Sequence, residues 1–240
     1  MEKEEYNCDT NPYPSFGKKY NSERAIISLT SWKARINTVS KTLYSLIKQC
    51  PCFHIVLVLS EEEFPKMMNE LPDNLKLFVD NELIEVLWVY KNYRSFKKVL
   101  FTMDKYRDVP VISADDDCIY TCNYAQELYD KWLQHKDCII TNDGMPYRKF
   151  RLQWGRGPNT LYTPKFSHYI DFIIHIVANK INIFSDDDCF YGVVAEKMKI
   201  HYIDLNKKSF YVFHTQIEPF HLKIKDSRNY INYFRENIVA

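Results

Sequence analysis

Short apolar runs alternate along this chain with stretches that have the periodicity of amphipathic helices. Such runs have the length of buried β-strands, and they lie at Arg24–Leu29, Ile55–Leu59, Val86–Tyr90, Val111–Ala114, Cys138–Thr141 and Ile200–Leu205. Helical spacing of apolar side chains predicts helices over residues 39–47, 94–106, 123–135 and 169–177, and from 185 to 198. Strands that alternate with helices favour a mainly parallel sheet with helices on both faces.

Two further stretches, at Ser60–Glu63 and at residues 142–167, have features that predict a helix start and a long loop. Ser60 is followed three positions later by Glu63, which is the spacing of a helix capping box. Residues 142–167 have no clear period and contain Tyr147, Trp154 and Tyr162 among several glycines. A loop of this length inside a domain is usually functional or disordered, and the aromatic side chains favour a functional loop.

Two acidic triplets are the main candidates for chemistry. Asp115–Asp117 directly follows the run at Val111–Ala114, at the end of a predicted strand where α/β proteins bind ligands. Asp186–Asp188 opens a predicted helix, where acids also complement the helix dipole. Either triplet by itself is compatible with a solvated turn or a helix cap, but two in one α/β chain favour a shared catalytic role.

Transfer of a sugar from a nucleoside diphosphate would use both triplets. A divalent cation held by carboxylates neutralises the diphosphate as it leaves. A separate carboxylate takes the proton of the acceptor hydroxyl as its oxygen attacks the anomeric carbon. The first triplet suits the cation, and the second suits the base.

Composition narrows the classes of partner. The chain has 240 residues and a formal net charge of +1, which gives no electrostatic reason to expect nucleic acid as the main partner. Seven scattered cysteines favour buried thiols in a reducing compartment, and the charged start Met1–Glu5 does not resemble a signal peptide. We therefore expect a cytoplasmic protein.

Four ordered motifs resemble those of bacterial glycosyltransferases of the GT-A fold that carry an Asp-x-Asp motif and act on cell-surface polysaccharide. They are Ser28–Trp32 with Arg35, Leu59–Pro65, Phe96–Leu100 and Ser113–Tyr120. The resemblance extends from about residue 24 to 205. It implies an α/β, GT-A-like single domain over residues 1–240, with a core at 24–205 and a C-terminal tail at 206–240.

The resemblance also implies roles for individual residues. It places Thr30 and Arg35 at the start of the donor pocket, and Lys97 or Lys98 near the diphosphate. Sets of site residues follow from it: Asp115 and Asp116 with the nucleotide, Asp117 and Asp115 with Mn²⁺ or Mg²⁺, His214 as a further metal ligand, and Asp187 with its neighbour Asp186 as the base. The loop 143–165 matches the family poorly, so Trp154 and Tyr162 are candidate sugar contacts on their aromatic character alone. The chain departs from the family pattern at Ser185 and Cys189, where the family has Ala and Trp.

The resulting hypothesis is a metal-dependent glycosyltransferase with a nucleotide-sugar donor, UDP before GDP, and a dedicated base that inverts the anomeric carbon. The acceptor would be a hydroxyl of a surface glycan or lipid-linked glycan, reached at the inner face of the membrane. The tail mixes lysines with aromatic residues, which is compatible with peripheral membrane contact. Two alternatives remain open: a nucleotidyltransferase, and a carbohydrate-binding protein without catalysis.

Overall fold

The computed structural model describes residues 24–49, 53–142, 144–147, 152–155, 157–180, 187–207 and 209–213, with the backbone alone for 145–147, 152–155, 157 and 180. The strands are β1 (Ile26–Thr30), β2 (His54–Ser60), β3 (Glu85–Val89), β4 (Val111–Ala114), β5 (Cys118–Tyr120), β6 (Ile139–Thr141), β7 (Gly144–Tyr147), β8 (Leu152–Gly155), β9 (Thr160–Tyr162), β10 (Tyr202–Asp204) and β11 (Phe210–Val212). The helices are α1 (Val39–Ile47), α2 (Asp73–Asp80), α3 (Lys97–Lys105), α4 (Tyr124–Gln134), α5 (Ile170–Lys180) and α6 (Asp187–Lys197). Short 3₁₀ turns lie at Met67–Glu70, Arg94–Phe96, Gly157–Asn159 and Pro164–Tyr169.

Within the described residues, seven strands form the central sheet in the order β10-β6-β9-β4-β1-β2-β3. Strand β1 is parallel to both β2 and β4, and β10 is parallel to β6. Strand β9 is inserted antiparallel between β4 and β6. Two small antiparallel pairs, β5 with β11 and β7 with β8, lie outside this sheet. The sheet is therefore mainly parallel, as the sequence predicts.

Helices pack on both faces of the sheet. Ile27 and Leu29 of β1 join the apolar cluster that includes residues of α1 and α4. On the opposite face the hydroxyl of Ser28 contacts α3, with Oγ 2.5 Å from the carbonyl oxygen of Lys98 and 2.6 Å from Oγ1 of Thr102. A small polar side chain lets helix and strand approach closely there, and the two hydrogen bonds satisfy its buried hydroxyl.

The residue patterns predicted most of these elements, but they did not predict α2, β5 or β11. The helix at 94–106 begins as a 3₁₀ turn before α3, and its predicted inward residues Phe96, Val99, Leu100 and Met103 are all buried. Ser60 and Glu63 do not cap a helix: the Ser60 hydroxyl donates to Glu63 Oε2 at 2.9 Å within a turn after β2. Residues 142–167 were expected to be irregular, but they contain β7, β8 and the central strand β9.

No helix among the described residues is both long enough and apolar enough to cross a bilayer. The extent of the single domain and of its tail stays a prediction.

Candidate functional site

The acidic triplet Asp115–Asp117 lies where β4 ends, beside the end of the neighbouring strand β1. The two strands are parallel and in register, with Leu29 opposite Ala114. Consequently Ser31 and the first acids emerge at the same edge of the sheet, as the resemblance to GT-A enzymes implies.

Asp116 is the buried acid of the triplet. Ser31 Oγ donates to its Oδ2 at 2.7 Å, and Arg35 Nη1 donates to its Oδ1 at 2.8 Å. Burial raises the pKa of Asp116 from its ordinary value, while the hydrogen bonds from Ser31 and Arg35 oppose that rise. With both carboxylate oxygens engaged, Asp116 anchors the loop and is poorly placed to meet a ligand.

Arg35 connects Asp116 to Asp117. The same Nη1 donates to Asp117 Oδ2 at 2.9 Å. Burial favours a lower pKa for Arg35, but the charges of Asp116, Asp117 and Asp115 outweigh burial and raise it. Arg35 is thus a permanent cation beside the triplet, and its described contacts are with carboxylates.

Lys98 joins the two acidic clusters. Its Nζ lies 2.7 Å from Asp115 Oδ1 and 3.4 Å from Asp187 Oδ2. The Lys98 side chain is 4% exposed, whereas that of Asp115 is 35% exposed. Burial favours a lower pKa for Lys98, but Asp115, Asp187 and Asp188 outweigh burial and raise it well above the ordinary value. The fold therefore brings Asp115 and Asp187 to one ammonium group.

Two tyrosines support the loop of Asp115 from behind. The backbone N–H of Asp115 donates to the Tyr120 hydroxyl at 2.8 Å, and the Tyr124 hydroxyl donates to the Ser113 carbonyl at 2.5 Å. Their rings lie 4.3 Å apart between centroids. Burial raises the pKa of both phenols well above the ordinary value, so they remain neutral hydrogen-bonding groups.

The charges of this site suit one divalent cation. Four carboxylates, those of Asp115, Asp116, Asp117 and Asp187, lie with the two cations Arg35 and Lys98. Four negative charges less two positive charges leave two negative charges. Asp188 adds a further negative charge close enough to affect Lys98.

The carboxylate oxygens suit a hard cation as well. Among the described residues, no hydrogen bond occupies Asp115 Oδ2, and Asp117 Oδ1 meets only the Cys118 thiol at 3.7 Å. No group of three or more candidate ligands is gathered among the described residues. A cation here would therefore share two carboxylates with the oxygens of a bound phosphate and water, as Mg²⁺ commonly does.

Lys97 and Thr30 are turned away from the acids. Lys97 Nζ lies 3.0 Å from Glu63 Oε2 and 3.0 Å from Asn92 Oδ1, at the ends of β2 and β3. Burial lowers the pKa of Lys97, and the charge of Glu63 partly offsets this. The Thr30 hydroxyl donates to the carbonyl of Val58 at 2.7 Å. Neither side chain contacts the triplet directly.

Of the remaining predicted site residues, the structure describes the side chain of Tyr162 but not those of Trp154, Asp186 and His214. Tyr162 is 1% exposed and packs edge-on against Phe166 and Tyr191, so it presents no face to a sugar in this structure. Trp154 lies in β8, but its side chain is outside the described residues, as are Asp186 and His214. Phe213, the residue before His214, donates its N–H to the carbonyl of Asp117 at 2.9 Å.

Some functional residues escaped the sequence analysis. Ser31, Tyr120 and Tyr124 hold Asp116 and the loop of Asp115 in place. Ser31 had a usable signal, because a hydroxyl residue directly after a strand at the binding edge is well placed to reach a ligand or an acid. The tyrosines gave no such signal, since their hydroxyl partners lie on the backbone of another segment.

Comparison with known proteins supports the fold. No protein-family model and no curated protein matches this sequence. Among solved structures, the mannosyltransferase PcManGT from Pyrobaculum calidifontis, in complex with GDP-Man and Mn²⁺, is similar at a TM-score of 0.51 and 10% sequence identity. The similarity covers 83% of this chain and 58% of the mannosyltransferase, so the chain spans little more than half of that protein. This chain has a GT-A-like fold.

Proposed function

We propose that this protein is a glycosyltransferase that moves a sugar from a nucleoside diphosphate donor to an acceptor hydroxyl with the help of a divalent cation. The observation that carries the proposal is the meeting of Asp115 and Asp187 at Lys98, on the ligand-binding edge of a GT-A-like fold. The mannosyltransferase with a similar fold was solved with a nucleotide sugar and Mn²⁺, which is consistent with this chemistry.

Asp115 and Asp117 are the residues that would hold Mn²⁺ or Mg²⁺. The cation would supply positive charge to the leaving diphosphate. Arg35 lies against Asp117 and adds a second positive charge on the same side of the site. His214 stays a candidate ligand, because its neighbour Phe213 is bound to the backbone of Asp117.

Asp187 is the proposed base. The acceptor oxygen attacks the anomeric carbon and forms the new glycosidic bond, while the bond from that carbon to the diphosphate oxygen breaks. The electron pair of the broken bond stays on the diphosphate, and Asp187 takes the proton of the hydroxyl. Attack from the side opposite the diphosphate inverts the anomeric carbon.

Donor and acceptor remain proposals drawn from the sequence. We propose UDP as the nucleotide, with GDP as the alternative, and a hydroxyl of a surface or lipid-linked glycan as the acceptor. A cytoplasmic protein that works at the inner face of the membrane would meet both substrates.

A binding panel tests the proposal most directly. Melting temperatures would be measured with UDP, GDP, UDP-sugars and GDP-sugars, each with Mn²⁺ and with EDTA. A ligand that binds only the folded state raises the melting temperature, so we expect one nucleotide class to do so only with the metal. Release of the nucleoside diphosphate would then be assayed with glycan acceptors. Binding without turnover would favour a carbohydrate-binding protein, and release of pyrophosphate from a nucleoside triphosphate would favour a nucleotidyltransferase.

A further inference from the structure

Lys98 was expected from the sequence to contact the diphosphate, but in the structure it lies between two carboxylates. We propose that Lys98 is a positioning residue that holds Asp115 and Asp187 at a set spacing, so that the metal-binding acid and the base face one reaction space. The inference rests on the proposed function, and it adds a role that the donor-binding prediction does not contain.

The backbone of Lys98 is firmly placed. It lies in the first turn of α3, and its carbonyl accepts the hydrogen bond from Ser28 of β1. Val99 and Leu100, which follow it, are each 1% exposed in the core. The Lys98 side chain itself is only 4% exposed, so packing restricts its rotamers and keeps Nζ close to the two acids.

The two contacts of the ammonium are unequal. At 2.7 Å, the contact with Asp115 Oδ1 is a short charge-assisted hydrogen bond, and it leaves Oδ2 directed elsewhere. At 3.4 Å, the contact with Asp187 Oδ2 is an ion pair, and this buried oxygen has no hydrogen bond. Lys98 thus attracts Asp187 without engaging it in a close hydrogen bond.

Loss of the ammonium would affect both acids. The two carboxylates would repel each other across a poorly solvated space. Asp187, with a side chain 9% exposed, would be left as a buried charge without its described partner. Rotation of the two carboxylates away from each other would reduce this repulsion. The same rotation would separate the cation site from the base.

A purely structural role for Lys98 is the competing explanation, and Lys97 provides a matched control. Lys97 and Lys98 are consecutive residues of α3, 1% and 3% exposed, and each forms a buried ion pair. Lys97 is paired with Glu63, outside the two acidic clusters. Lys97→Met therefore reports the stability cost of losing a buried lysine at this level of the helix.

The first test is a double-mutant cycle on melting temperature, with Lys98→Met, Asp187→Asn and the double variant. In the wild-type background, Asp187→Asn should lower the melting temperature. In the Lys98→Met background the same change removes an uncompensated buried charge, so it should raise the melting temperature, by at least about 3 °C. An equal effect of Asp187→Asn in both backgrounds would overturn the proposal, and this readout does not depend on any activity.

The second test is kinetic. Lys98→Met should lower kcat by at least about 100-fold because the base is displaced. It should raise the KM for the donor by a smaller factor, because Asp115 also loses its hydrogen bond. Lys98→Arg, which keeps the charge, should recover part of kcat. If kcat falls no more than in Lys97→Met, or if the loss follows the melting temperature alone, Lys98 is only structural. A wild-type protein without turnover on any donor would instead refute the proposed function, and the cycle would still report on the contact with Asp187.

Discussion

Lys98 Nζ and Asp187 Oδ2 lie 3.4 Å apart in the folded protein, although one belongs to α3 and the other opens α6. Since Lys98 also binds Asp115 at 2.7 Å, it is the point where Asp115 and Asp187, far apart in the sequence, meet. A shared catalytic role requires this proximity, because a base must lie near the donor that the metal-binding acid holds.

The base can be tested by a neutral substitution at Asp187. Asp187→Asn keeps the size of the side chain but cannot take a proton, so kcat should fall by about 10²- to 10⁴-fold. Donor and Mn²⁺ affinities, measured by calorimetry, should change little. Asp80→Asn, at an exposed acid that ends α2, is the control and should retain full activity. Retention of kcat in Asp187→Asn would exclude this residue as the base.

Removal of a proposed metal ligand should weaken the binding of Mn²⁺ and, through it, the binding of the donor. Asp117→Asn deletes a carboxylate that the Arg35 guanidinium and the cation would share, so Mn²⁺ affinity should fall by at least about tenfold. Metal-dependent donor binding should weaken in parallel. Titration calorimetry with Mn²⁺ measures the change, with the exposed Asp108→Asn as the control. Unchanged affinity would show that the cation binds elsewhere.

Arg35 should matter for stability as well as for activity. Arg35→Met leaves the buried Asp116 with Ser31 as its remaining described partner, and an unpaired buried charge costs about 3 kcal/mol in the free energy of unfolding. Asp116→Asn in the Arg35→Met background should recover part of this loss, because the buried charge is then gone. Urea unfolding of Arg35→Met, Asp116→Asn, the double variant and the wild type measures both effects. An additive loss in the double variant would contradict the assignment.

A cluster at the other end of the sheet makes a prediction about pH. Burial alone would raise the pKa of Glu85, but hydrogen bonds from His54, Lys105 and Tyr106 outweigh burial and lower it to about 2, from an ordinary value of 4.5. A carboxyl group whose pKa is depressed by folding stabilises the protein above its unfolded pKa. That contribution is lost as the pH falls from about 4.5 to about 2.

Glu85→Gln should therefore lower the free energy of unfolding at pH 7 by an amount on the order of 2 kcal/mol, a figure reduced for the solvent that reaches this group. The difference between variant and wild type should shrink as the pH is lowered toward 3. Urea unfolding at a series of pH values measures it. A difference that is constant from pH 7 to pH 3 would show that Glu85 keeps its ordinary pKa in the folded state.

Tyr162 should behave as a core residue. Tyr162→Phe removes only the hydroxyl, so the KM values for donor and acceptor should stay within about twofold of the wild type. Tyr162→Ala leaves a cavity beside Phe166 and Tyr191 and should cost about 3–5 kcal/mol of stability. A strong rise in the acceptor KM for Tyr162→Phe would show that Tyr162 contacts the sugar, as the sequence predicted.

Much of the fold was predictable from the sequence, because the periodicity of apolar residues is a local property. The apolar runs of β1, β2 and β4, and the apolar face of α3, follow from the order of side chains along one segment. The position of Asp115–Asp117 at the binding edge was predictable for the same reason, since it depends only on where the run at Val111–Ala114 ends.

Pairings between distant segments could not be predicted in the same way. Strand β9 is short and lies in a stretch rich in aromatic and glycine residues, and only its neighbours β4 and β6 give it a place in the sheet. The sequence was compatible with Tyr162 as a sugar contact, but in the folded protein its ring is enclosed by Phe166 and Tyr191.

The sequence by itself determined that two adjacent lysines, Lys97 and Lys98, follow the predicted donor site, but it could not decide which one meets the acids. Successive residues of a helix point about 100° apart, so two neighbours face different surroundings. In the tertiary structure Lys97 is paired with Glu63, and Lys98 is paired with Asp115 and Asp187. The physical reason is that burial of the apolar face of α3 against the sheet sets the rotation of the helix, and this rotation selects the partner of each charge.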